Sequence, residues 1–155
     1  MARLPRKSTI LLTIGEIDCR PNEGILHAWK KSPGKSLDEL AQATVTGYVR
    51  YVAAIAVQYG HQIIVGGVPA THIPLAALTA DVAGQLVRLI RVVNAMLKEA
   101  ALAAGMDFLD VYELTDRGDG TASGQWHIDD VHLTPDAMVE AFNAKGTNEG
   151  TSNRA

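Results

Sequence analysis

Four side chains able to move a proton or bind a metal stand within six residues near the C-terminus: His127, Asp129, Asp130 and His132. A histidine that works as a general base needs a carboxylate to fix its tautomer and to stabilise the imidazolium it becomes. Asp129, three residues before His132, could reach that ring across a turn. Thr134-Pro135 follows at once, threonine as N-cap and proline in the first helical position, so a helix start anchors the turn. The same four residues allow a second chemistry, nitrogen and carboxylate ligation of zinc or manganese, although their spacing matches no motif of fixed geometry. A third reading needs no chemistry: an aspartate caps the turn, and His132 is a surface residue. His127 reads as part of the loop.

A second group is Gly15-Glu16-Ile17-Asp18-Cys19-Arg20. Arg20 could hold an anionic group, and the backbone amides after Gly15 could donate to an oxyanion. The plainer alternative is a salt-bridged turn that ends a strand. Cys19 is the only cysteine in the chain, which rules out an intrachain disulfide. With His132 and Asp129 it would complete a nucleophilic triad; otherwise it is a small packing residue. Gly66-Gly67 lacks the further glycine and the lysine of a phosphate loop and reads as a tight strand exit before Pro69. His27 and Trp29 either rim a substrate site or cover the core.

These groups depend on a scaffold that is legible from apolar patterning. Ser8–Ile14 is a nearly continuous apolar run, the mark of a strand buried on both faces. Residues 22–35, with Gly24, Pro33 and Gly34, read as a loop. Ser36 and Glu39 have capping-box spacing and open a helix that carries an apolar stripe to Tyr59, with Gly60 as its stop. Gln62–Val65 is a second strand, Thr79–Ala104 a second long helix closed by Gly105, and Met106–Leu114 a third strand. The loop at 116–124 leads into the histidine-rich stretch and the last helix. One domain over 8–144 is expected, with a disordered tail from Lys145 to Ala155. Strands alternating with helices imply a parallel α/β sheet. Ligands bind such sheets beyond the carboxyl ends of the strands, where Gly15–Arg20, Gly66–His72 and the Asp129–His132 loop all fall.

Composition narrows the function. With 155 residues, 47% of them hydrophobic, and a net charge of −3, the chain has an ordinary globular composition. It gives no reason to expect nucleic acid as a partner. No apolar run approaches the roughly 18 residues of a membrane span, and no signal peptide opens the chain, so the default location is cytoplasmic. Nothing calls for a cofactor.

Taken together, these residues resemble the SGNH/GDSL hydrolases, in the bacterial branch whose third block reads G-E-I-D-C-R. That block is Gly15-Glu16-Ile17-Asp18-Cys19-Arg20, and the last block, D-x-x-H followed by Leu, is Asp129-Asp130-Val131-His132-Leu133. The strand ending Val65-Gly66-Gly67-Val68-Pro69 and the helix around Asn94 are also similar, so the resemblance covers about Ser8 to Phe142. It implies a flavodoxin-like three-layer α/β/α sandwich, truncated here to about three strands. The implied activity is hydrolysis of acyl or acetyl esters on a lipid or carbohydrate. Asp129 and His132 take the triad carboxylate and base positions, with Gly15, Glu16, Asp18, Arg20 and Gly67 at the binding edge. Two features depart from the pattern. Ile17 stands where the common form has an asparagine donor, and no Gly-Asp-Ser occurs to supply the serine. Ser8, Ser32, Ser36 and Ser123 lie in the wrong places for a nucleophile. Without the family's first two strands, Ser8–Ile14 is left as an open edge. This predicts a homodimer through that edge or a fragment of a longer protein. A non-catalytic binding module on the same fold is the alternative.

Overall fold

Alternation along the first apolar run assigns its side chains to two faces. In the computed structural model, which describes residues 4–13 and 15–152, β1 (Thr9–Leu12) turns Ile10 and Leu12 to one face and Leu11 to the other. The period of two in extended chain requires this. Next to it, β2 (Gln62–Gly66) divides Ile63 and Val65 from Ile64, and β3 (Asp107–Leu109) divides Phe108 from Leu109. The three strands are parallel, in the order β1-β2-β3, with Leu11 opposite Ile64 and Val65 opposite Phe108. Among the described residues β1 pairs with β2 alone, so the expected open edge is present.

One face of the sheet is covered by α1 (Gly24–Lys31), α2 (Leu37–Tyr59) and α3 (Ala80–Ala103), whose buried residues join Ile63, Val65 and Phe108 in the main core. On the other face Leu109 packs with Val111 and Ala141, and Leu11, Ile64, Leu133 and Met138 border them; this brings in α5 (Pro135–Ser152). The result is the three-layer α/β/α arrangement, with a sheet of three strands.

Local signals set the helix ends where they were expected. Ser36 Oγ accepts from the Glu39 amide at 3.2 Å, while Glu39 Oε2 accepts from the Ser36 amide at 2.7 Å. Gly60 closes α2 in the left-handed region at φ 69°, a conformation that favours glycine. By length and mean hydropathy α2 could cross a membrane, contrary to the reading of its sequence. Its buried residues Leu37, Ala41, Val45, Val49 and Val52 are spaced as one stripe and face the core.

Three segments differ from expectation. The loop at 22–35 contains α1, whose Ile25, Leu26 and Trp29 pack into the core. Gly24, at φ +55°, lies so close to Asp18 that a Cβ would come within 2.4 Å of its backbone. The helix is thus fixed by a tertiary contact that no local pattern encodes. The third strand stops at Leu109, and α4 (Val111–Thr115) follows, because Asp110 Oδ1 accepts from the Glu113 amide at 3.1 Å and starts a helix. Finally, α5 stays helical to Ser152, through most of the tail expected to be disordered. Residues 153–155 of that tail lie outside the described residues, as does Ile14 of the expected first strand.

Candidate active site

The Asp129–His132 turn is held by its own backbone. The Ile128 amide donates to the His132 carbonyl at 2.8 Å, the Thr134 amide to the Trp126 carbonyl at 2.8 Å, and His127 bridges Leu133. Inside this narrow loop Asp129 uses both oxygens. Oδ1 accepts from the amides of Val131 at 2.9 Å and His132 at 2.7 Å, and Oδ2 lies 2.8 Å from His132 Nδ1. The amide of Val131, then the His132 ring and amide, hold the Asp129 carboxyl down at about 2. It is therefore ionised at neutral pH. A carboxylate only accepts, so Nδ1 carries the proton and Nε2 is left as the acceptor. The pair is open to water, with side chains 52% and 67% exposed for Asp129 and His132, so its mutual attraction is screened.

His132 lines a cleft of about 360 Å³ beyond the strand ends, together with Thr13 after β1, Gly67 after β2 and Val111 after β3. Glu16 is the one carboxylate in its wall; Val68, Val131, Leu133 and Met138 are among its apolar residues. The three segments expected at this edge thus meet.

Asn94 anchors the middle one. Its Oδ1 accepts from the Val68 amide at 2.8 Å, and its Nδ2 donates to the carbonyls of Val68 and Ile90, both at 2.9 Å. Gly67 is required by this packing, because a Cβ would lie 2.6 Å from Asn94 Oδ1. Its amide already donates to the Leu109 carbonyl at 2.9 Å.

The block after β1 resolves toward the plainer alternative. Arg20 grips Glu16 with two hydrogen bonds, Nε to Oε1 at 2.8 Å and Nη2 to Oε2 at 2.7 Å, with Glu23 at 3.5 Å. Arg20 is engaged with carboxylates and closes a salt-bridged 3₁₀ turn over Ile17–Cys19. Within that turn the amides of Cys19 and Arg20 donate to the carbonyls of Glu16 and Ile17. Burial raises the Asp18 carboxyl above its ordinary value.

Cys19 has to be corrected as a candidate nucleophile. It is 3% exposed in the main core. Burial, helped by Asp18 and Glu16, pushes its thiol up to about 12. The reactive thiolate is therefore scarce at neutral pH.

The sequence left His72 unassigned and read His127 as a loop residue or, in the metal reading, a ligand; the structure brings the two together beside the Asp129 turn. The His72 ring stacks on His127 with centroids 5.0 Å apart, and its Nδ1 lies 3.3 Å from the Asp129 carbonyl. Burial, with the neighbouring His72, lowers the His127 pKa. Position at the end of the β2 exit was the only signal available for His72. As for a metal, no group of three or more His, Cys, Asp or Glu is arranged to hold one among the described residues.

No protein-family model matches the sequence, and no curated protein matches it. Solved structures do resemble it. A phospholipase A1 from Streptomyces albidoflavus matches at 19% identity over 91% of this chain and 71% of that one, with a TM-score of 0.54. A GDSL-like lipase from Bacteroides thetaiotaomicron matches at 18% over 92% and 62%, with a TM-score of 0.55. An alpha/beta hydrolase enzyme from the metagenome of Lake Arreo, Spain, matches at 17% over 88% and 58%, with a TM-score of 0.52. The chain spans between 58% and 71% of these proteins' lengths. What they share with it is the fold, a parallel sheet flanked by helices.

Proposed function

We propose that the chain is a GDSL-type ester hydrolase in which His132 is the general base and Asp129 the carboxylate that orients it. The observation that carries this is the 2.8 Å contact between His132 Nδ1 and Asp129 Oδ2, with His132 in the wall of the cleft of about 360 Å³. It leaves Nε2 as the proton acceptor. Cys19 is buried, and among the described residues no serine stands on a strand exit; for the chain as it stands, this reading assigns the base a water in the cleft as attacking group. His132 Nε2 takes one proton from that water as its oxygen bonds to the acyl carbon. The tetrahedral species then expels the alcohol oxygen, which leaves with the proton returned by His132.

The cleft favours an acyl chain over a sugar in the wall-lined part of the site, since apolar side chains dominate it and Glu16 is its one carboxylate. Ile17, in the 3₁₀ turn after β1, and Ile128, next to Asp129, are apolar residues 55% and 67% exposed. The phospholipase and lipase among the structural neighbours support the same direction.

The test is hydrolysis of p-nitrophenyl acetate, butyrate and octanoate by the whole chain and by His132→Ala. The expected result is a preference for the longer acyl groups and a loss of about a hundredfold in the variant. Equal rates for both proteins would refute the assignment. A second reading, a non-catalytic binding module, is favoured by the same lack of a serine on a strand exit. It gains if an alkyl phosphonate binds the cleft and no ester is turned over.

A further inference from the structure

The hydrogen bonds within the Asp129 turn are formed between exposed groups, where water competes for them, so the turn needs an outside anchor for its shape as well as for its place over the cleft. The segment after β2 can supply it, because it is tied down along its length. Asn94 holds both backbone groups of Val68. The Ala70 amide donates to Thr115 Oγ1 at 2.9 Å, and the Thr71 carbonyl accepts from the Ala122 amide at 2.8 Å. Thr115 is itself buried, and its hydroxyl donates to the Val111 carbonyl at 2.8 Å. At the end of this anchored segment comes His72.

Three residues of the loop surround its ring. His127 stacks on it at 5.0 Å and 29°, and the Asp129 carbonyl lies 3.3 Å from Nδ1. Gly124, at φ +84°, approaches so closely that a Cβ there would sit 2.9 Å from His72 Nε2. A carbonyl can only accept, so His72 donates through Nδ1–H.

We infer that His72 is the positioning residue of the Asp129–His132 pair, tying the Asp129 backbone to the rigid β2 exit so that the carboxylate stays directed at His132. The inference rests on the reading of that pair as the acid–base couple. In this arrangement Asp129 is held from two sides: its carbonyl accepts from His72 Nδ1–H, and its carboxylate accepts from His132 Nδ1–H. Removing His72 frees the turn to shift relative to the cleft. A displacement of about 1 Å in such a group costs up to about a hundredfold in rate.

The experiment uses full-length protein labelled with ¹⁵N in its histidines, comparing wild type, His72→Ala and His72→Asn. The asparagine amide offers a donor close to the position of Nδ1. The ¹⁵N shifts of neutral His132 report its tautomer directly, without needing hydrolysis. Wild type and His72→Asn are expected to hold His132 in the Nδ1–H form, while His72→Ala gains the Nε2–H form. If esters are cleaved, kcat falls about tenfold in His72→Ala with KM little changed, and recovers in His72→Asn. An unchanged His132 tautomer in a folded His72→Ala protein overturns the inference, whether or not esters are hydrolysed. If His72→Ala fails to fold, the His72→Asn protein decides: an Nε2–H His132 there also overturns it. Loss of hydrolysis in every protein, with the tautomer pattern as expected, would count against the esterase reading and leave the positioning role standing.

Discussion

Asn94, on α3, satisfies both backbone groups of Val68, on the exit from β2, with bonds of 2.8 and 2.9 Å. This buried pair joins the helix layer to the loop from which Val68 and Pro69 enter the cleft wall. Asn94→Ala would leave the amide and carbonyl of Val68 without partners in the interior. The expected loss of stability is about 2–4 kcal/mol, read from the urea midpoint. Gly67→Ala is expected to weaken the same joint, since its Cβ collides with Asn94 Oδ1.

Ser36→Ala tests the scaffold far from the cleft. The substitution removes one half of a capping box whose two bonds are both formed. It should cost about 1 kcal/mol. Any ester hydrolysis should be unchanged, because nothing at the start of α2 touches the cleft.

Cys19 should behave as a core residue. A buried thiol pushed up to about 12 reacts with disulfide reagents only when the protein opens. Labelling at pH 8 is expected to be slow in buffer and fast in denaturant. Cys19→Ala should keep whatever hydrolysis the wild type has, whereas a loss matching His132→Ala would return Cys19 to the mechanism.

Acid should weaken the fold in two stages. Burial lowers the His127 pKa in the folded protein below its ordinary 6.5, so the unfolded chain binds that proton first. Its contribution is present above pH 6.5 and is lost as pH falls through the lowered folded value. Asp129, held at about 2 against an ordinary 3.8, adds stability above 3.8 that disappears as pH falls toward 2. Urea midpoints between pH 8 and pH 2 measure both. His127→Phe should flatten the first stage and leave the second.

The parallel α/β alternation was legible because it follows from apolar patterning, and the three layers were implied by the family resemblance. The unbroken apolar run announced β1, the capping box announced α2, and the strand ends marked the edge where the cleft lies. Two elements were illegible for physical reasons. The start of α1 depends on Gly24 packing against the backbone of Asp18, a contact between residues whose approach no local pattern encodes. Leu109 to Leu114 looked continuous as a strand, although Asp110 and Glu113 have the spacing of a helix start; apolar content outweighed the cap. Asp129 and His132 were singled out by type and spacing, and the structure places their side chains 2.8 Å apart. His72 escaped because its role depends on the loop at 124–129 folding back against the β2 exit. The same limit applied to Arg20, whose charge suggested anion binding until its bidentate bond to Glu16 accounted for it.

The central claim is that Asp129 and His132 act as one acid–base unit, and a double-mutant cycle on ester hydrolysis tests it most directly. Rates with p-nitrophenyl butyrate would be measured for wild type, Asp129→Asn, His132→Ala and the double variant. Groups that act as a unit are strongly non-additive. The double variant should therefore be no slower than His132→Ala alone, with Asp129→Asn already well below wild type. Losses that multiply, or single variants as fast as wild type, would contradict the assignment.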